Sequence, residues 1–166
     1  MQCRRLAPRI RRFAADESGA QLVEFAIVLP VMLLVFAVIV EGARMMWSYQ
    51  TVIAGVRDAT RFLARVAPRN ICDTGGDVTG YAATLTGIVR NASDGRSILP
   101  SGVTVTAVEP SLTCNAGAYR SDMAPIVTVR ADVLVTFPFA GLFTLVGGDR
   151  PALQTSVTDQ SRVYGS

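Results

Sequence analysis

The chain has 166 residues, half of them apolar, and a mean hydropathy of +0.36. That is room for one modest domain plus a membrane anchor rather than an ordinary soluble domain. The sequence contains no His and no Lys. The commonest general base and metal ligand is therefore missing, as are Schiff-base and P-loop phosphate chemistry, so neither an enzyme nor a cofactor is expected. The formal charge of +3 is local: Arg4, Arg5, Arg9, Arg11 and Arg12 outnumber Asp16 and Glu17 in the first 19 residues, while eleven Arg and eleven acids balance over the rest. The basic excess thus marks a leader, not a nucleic-acid-binding face.

Residues 22–40 read LVEFAIVLPVMLLVFAVIV, 19 residues with a single charge, Glu24. At about 1.5 Å per residue they span roughly 28 Å, close to the hydrocarbon thickness of a bilayer. A buried core helix would show a polar stripe, and none is present. Pro30 is tolerated in a membrane helix, where it produces a kink or a packing notch. Five Arg precede the run, and Glu41, Arg44, Trp47 and Tyr49 follow it. The positive-inside rule puts the N-terminus in the cytoplasm, and the two aromatic residues mark the opposite interface. The rest of the chain then lies outside the cytoplasmic membrane.

Helical periodicity continues beyond the run. Val52, Val56, Ala59, Phe62 or Leu63, and Val66 recur at three- and four-residue steps, with Arg57, Asp58, Arg61 and Arg65 on the other sides, until Pro68 stops the pattern. One helix over 20–66 is predicted. Its second half is amphipathic and carries a stripe that suits packing on its own globular domain better than a groove for a partner. Residues 70–80 form a loop by composition. Residues 81–91 fit a shorter helix with Leu85, Ile88 and Val89 inward, and 91–102 a second loop. Alternation then takes over. A first strand places Val103, Val105 and Ala107 on one face. A second, over 126–137, aligns Val127, Val129, Ala131, Val133, Val135 and Phe137. A third covers 153–163. Helices followed by strands predict an α+β fold: a long N-terminal helix, membrane-spanning and then amphipathic, packed on a small antiparallel sheet in a pilin-like arrangement. Residues 141–151 remain unassigned.

Cys72 and Cys114 are the cysteines beyond the apolar run; Cys3 lies in the leader. With no His and no third thiol nearby, zinc is not expected. In an oxidising compartment the two form a disulfide; the alternative is a pair of buried free thiols.

The junction of leader and membrane run carries the functional signal: DESGAQLVEFAIVLP, residues 16–30. A secretory signal peptide has a shorter apolar core followed by a small-x-small cleavage site. After the run here, the only candidate is Glu41-Gly42-Ala43, where Glu fits poorly. Cleavage before the helix, between Gly19 and Ala20, fits better. Residues 18–61 resemble the TadE-like family of the tight-adherence (Tad) pilus system, on Gly19, Val23-Glu24-Phe25-Ala26, Leu29-Pro30, Leu33-Leu34, Glu41 with Gly42 and Arg44, and Arg57-x-x-x-Arg61 with Ala59 and Phe62. Such proteins are similar to type IV pilins. The resemblance implies a non-enzymatic minor pilin or pseudopilin of the bacterial inner membrane, processed by a prepilin peptidase and partnered by other Tad subunits and assembly-platform proteins. Phe25 departs from the Tyr common in major pilins of this system, and the globular domain is far larger than theirs, which points to an accessory subunit. The expected organisation is a basic cytoplasmic leader at 1–19, a TadE-like segment at 20–67 and an extracytoplasmic α+β domain at 68–166.

Glu24 and Phe25 are the candidate assembly residues. A carboxylate in a membrane segment costs up to roughly 3 kcal/mol at the centre and less near an end. Cleavage after Gly19 creates an α-amino group on Ala20, which on one subunit neutralises Glu24 of the next and sets register. The plainer reading is a carboxylate favoured by the helix dipole and reaching headgroups. Glu41 and Arg44 fit an ordinary i,i+3 pair or a subunit contact. Asp73 and Asp77 suit a surface loop better than calcium. Asn91-Ala92-Ser93 matches a glycosylation acceptor only formally. The rival function is an uncleaved single-pass protein whose outer domain binds a partner or ligand.

Overall fold

A computed structural model describes residues 18–117, 123–137, 141 and 152–165. Residues 1–17 of the leader therefore lie outside the described residues, as does all of the unassigned 141–151 stretch except Gly141. The chain divides into two compact units, Met1–Val40 and Glu41–Ser166. Helix α1, Ser18–Val66, contributes to both and contains Pro30. Leu, Val, Ala and Met dominate its first half, and Pro30 removes only the backbone donor that would reach the carbonyl of residue 26.

In the Glu41–Ser166 unit the second half of α1 packs against a three-stranded antiparallel sheet, which makes the unit α+β. The strands are β1, Val103–Ala116; β2, Met123–Thr136; and β3, Ala152–Arg162, in the order β1-β2-β3. Central β2 buries Val127, Val129, Ala131, Val133 and Val135 on one face, and these meet Val52, Val56, Ala59 and Leu63 of α1 in one core. The period-two and period-3.6 stripes of the sequence are thus the two halves of a single interior.

Several expectations require correction. Val66, expected in the α1 stripe, is exposed, while of the two alternatives before it Leu63 is the fully buried one and Phe62 packs at the margin. β1 is longer than the alternating stretch: it runs through Pro110, which an edge strand tolerates because the missing N–H can face away from the ladder. Its pairing with β2 also slips between Val105 and Ala107. This bulge adds one residue, Thr106, and reverses the alternation. Val108 is buried in place of Ala107, and Leu112 follows on the same face against the core. Within 70–80, predicted as loop throughout, lie a single helical turn, α2 (Ile71–Thr74), and the start of a 3₁₀ turn, Thr79–Tyr81. Ile71 and Val78 drop into the core and hold the backbone in these turns.

Helix α3, Ala82–Arg90, buries Leu85 and Val89, while Ile88 is only half-buried. It crosses α1 at Gly55, where an added Cβ would stand 3.0 Å from the Val89 carbonyl oxygen. The absence of a side chain there sets how closely the two helices approach. The Arg90 guanidinium donates to the carbonyl of Val105 and so satisfies an acceptor on the outer side of β1.

Candidate functional site

The apolar stretch of α1 belongs to the Met1–Val40 unit, and its side chains are presented outward: Phe25 is 59% exposed, and Leu22, Ile27, Met32, Phe36 and Ile39 are all exposed. A helix that carries large apolar side chains around its whole circumference is stable where the surrounding medium is itself apolar. Among the described residues this is the one helix long and apolar enough to cross a bilayer.

Gly19 and Ala20 occupy the first turns of α1, and both are exposed. Nothing lies within 4 Å of the position a Cβ would take at Gly19, so no neighbouring side chain packs against it among the described residues. Glu24 stands four residues after Ala20, one helical turn on and on the same face. Its other neighbours at three- and four-residue spacing are Gln21, Ile27 and Val28, none of them basic. Within its own helix Glu24 therefore has no cation to pair with among the described residues. An α-amino group at Ala20 would supply a positive charge at this level of the helix.

The second unit holds the remaining candidates. Cys72 of α2 is bonded to Cys114 near the far end of β1, with 5.8 Å between their Cα atoms, so the disulfide expectation describes the fold. Glu41 is buried. Arg44 reaches Ser101, donating to its carbonyl oxygen at 2.8 Å and to its hydroxyl at 3.2 Å. That contact spans 57 residues and has no sequence signal. Asp77 accepts from both the N–H and the hydroxyl of Thr79, which fixes the turn leading into α3. Asn91 bridges to Ser97 within the second loop. Sequence reasoning also missed an apolar groove beside Met45, Met46 and Tyr49, because its other wall comes from strand ends distant in sequence.

The TadE-like protein family matches residues 19–61. Residues 19–61 are a TadE-like domain. The match begins at Gly19, takes in Glu24, Phe25 and the whole outward-facing apolar stretch, and ends within the stripe that packs on the sheet. The TadE-like domain thus supplies one wall of the core in the second unit, and the sheet lies outside it. No curated protein and no solved structure matches the chain significantly. The family assignment therefore speaks for the helix and not for the strands.

Proposed function

We propose that this protein is a non-enzymatic minor pilin or pseudopilin that takes part in assembly of a Tad pilus and in surface adhesion. The observation that carries the reading is the coincidence, inside a TadE-like domain, of an outward-facing apolar helix with one carboxylate, Glu24, placed five residues after Gly19. The helix anchors the chain by a single pass in the bacterial inner membrane, with the Arg-rich leader in the cytoplasm and the 41–166 unit on the other side. A prepilin peptidase removes residues 1–19. The new amine of Ala20 then meets Glu24 of a neighbouring subunit, and Phe25 packs beside them. An ion pair in a low-dielectric medium is strong when complete and costly when half-made, which suits a contact that must select one axial register. Its partners are the membrane, the peptidase, other Tad subunits and the assembly platform, with no role for nucleic acid.

Deletion of the gene, with complementation by the full chain, tests this reading. Surface piliation and adherence should fall in the deletion strain and return with the complementing copy, and the membrane-extracted protein should begin at Ala20. Normal piliation without the protein would overturn the assembly role. A chain retaining residues 1–19 in cells with the cognate peptidase would favour an uncleaved single-pass protein whose outer domain binds a partner.

A further inference from the structure

The two edges of the sheet differ in how they are protected. Along β1, α3 and the 3₁₀ turn pack beside the strand, and Arg90 occupies the carbonyl of Val105. Pro110 lacks an N–H, and the bulge at Thr106 interrupts the ladder. Each of these devices blunts an edge against further pairing. β3 has none of them. It pairs with β2 without interruption from Ala152 to Arg162, contains neither Pro nor Lys, and carries Asp159 as its one charge before Arg162. Its other side is unpaired among the described residues. Alternate residues of β3 therefore present N–H and C=O groups outward in a row.

A crevice of about 220 Å³ lies beside that row, lined among the described residues by Tyr49, Ile53 and Arg57 of α1 and by β3 from Ser156 to Asp159. No β2 residue lines it, so it sits at the edge of the sheet. The helix and the strand run in the same direction here: Met45 and Leu153 share a groove at one end, and Ala64 meets Tyr164 at the other. Side chains four apart on a helix are separated by about 6 Å along its axis, and side chains two apart on a strand by about 7 Å. Alternate side chains of a strand added to β3 would thus meet Tyr49, Ile53 and Arg57 in turn. Tyr49 and Ile53 offer apolar surface. Arg57 is exposed, and neither it nor Asp159 has a hydrogen bond or ion pair among the described residues. A carboxylate at that level would be repelled by Asp159 and an ammonium by Arg57, whereas an amide side chain accepts from the guanidinium and donates to the carboxylate. We propose that β3 accepts an extended segment of another polypeptide as a fourth, antiparallel strand, reading amide-x-apolar-x-apolar from its N-terminal end. A second copy does not supply it. Its β1 edge is blunted, and antiparallel pairing of β3 with β3 would turn the two α1 helices head to tail, leaving their Glu41 ends, where the anchors attach, on opposite sides. That exclusion rests on the membrane-anchor reading above; the open edge does not.

The probe is the fluorescein-labelled peptide Thr-Gln-Thr-Val-Thr-Val-Thr, added to the full-length protein in detergent and followed by anisotropy. Binding should saturate, and hydrogen exchange should slow at alternate amides of β3. Methylating one alternate set of the peptide's amide nitrogens should abolish binding, and methylating the other set should not, because only one side of an added strand bonds to the edge. Replacing Gln by Glu, Lys or Thr should each weaken binding by about tenfold. Arg57→Ala should weaken the Gln peptide to the same extent and leave the Thr peptide unaffected, a pattern that a merely structural role of Arg57 would not produce. Absence of saturable binding, binding that survives both methylations, or unchanged exchange at β3 would each overturn the proposal. So would protection of β3 amides that grows with protein concentration without peptide, since that identifies a second copy as the occupant. None of these outcomes bears on the pilus reading, which stands or falls on piliation and on the N-terminus of the mature chain.

Discussion

The backbone N–H of Tyr164 donates to the carbonyl of Ala64 at 3.0 Å. In a continuing helix that carbonyl would accept from residue 68, and residue 68 is proline, which has no N–H. The end of α1 is therefore closed by a segment 100 residues away rather than by its own next turn. Arg69 reinforces the junction by donating to the carbonyls of Gly165, at 2.6 Å, and Tyr164. Gly165 permits it, because a Cβ there would run into the carbonyl oxygens of Ala67 and Arg65. Gly165→Ala should lower the stability of the 41–166 unit by about 1–3 kcal/mol, as overpacking does. Arg69→Ala should lower it by about 1–2 kcal/mol. Urea unfolding of the detergent-solubilised protein, followed by far-ultraviolet circular dichroism, reads both. An unchanged midpoint for Gly165→Ala would show that the junction opens freely.

The Cys72–Cys114 bond closes a loop that contains the 3₁₀ turn, α3 and nearly all of β1. Replacing both cysteines by serine should cost roughly 4 kcal/mol in the chain-entropy account of cross-linking. Reduction of the wild-type protein should move its unfolding midpoint to that of the double variant, and reduction of the variant should do nothing. Thiol labelling of the denatured, unreduced mature chain should find neither cysteine reactive.

The proposed removal of the leader requires a small residue before the cut. Gly19→Trp should leave 1–19 attached, and the retained leader should show as the corresponding gain in intact mass. The wild-type chain from the same cells should begin at Ala20. Because nothing crowds Gly19 within the helix, the variant should still insert and fold, which separates a processing defect from a folding defect.

Glu24→Ala and Glu24→Gln distinguish a register contact from a merely tolerated charge. Removing a carboxylate from an apolar segment favours insertion, so both variants should reach the membrane at or above wild-type levels. If the carboxylate pairs with the amine of the next subunit, both should lose surface piliation, since an unpaired charge in low dielectric costs several kcal/mol. Piliation assayed at matched protein level decides. Normal pili with both variants would defeat the pairing.

Leu63→Ala should destabilise the 41–166 unit by about 2–5 kcal/mol, and Phe62→Ala by distinctly less, because only Leu63 is sealed in the core. The sequence pattern alone leaves these two neighbours undecided, since three- and four-residue steps from Ala59 reach both. The same pattern makes α1 legible to within two residues and fixes the buried face of β2, though β2 starts at Met123, three residues before the predicted 126, because each buries one continuous stripe against the other. The reversal in β1 is not legible in this way. Nothing in VTVTAV distinguishes a regular strand from one that slips at Thr106; the slip is visible only against its partner residues on β2. The groove and the Arg44–Ser101 contact fail for the same reason, as each joins residues from separate elements. The anchor, the Gly19–Glu24 spacing and the two cysteines lie within short, chemically unusual stretches, and so they stand out in the sequence.

The junction of Tyr164 with Ala64 also imposes an order of events during biosynthesis. Strand β3 pairs only with β2, and Val163 completes the core, so α1 waits for about a hundred further residues before its buried face is fully covered. At usual rates of synthesis that is a delay of about 5–20 s. Throughout it the apolar run is ready to insert while the amphipathic half has nothing of its own chain to close against. The apolar stretch is thus complete long before the domain that follows it. A chain halted before β3 would still expose Val52, Val56 and Leu63, the apolar face that the finished sheet covers.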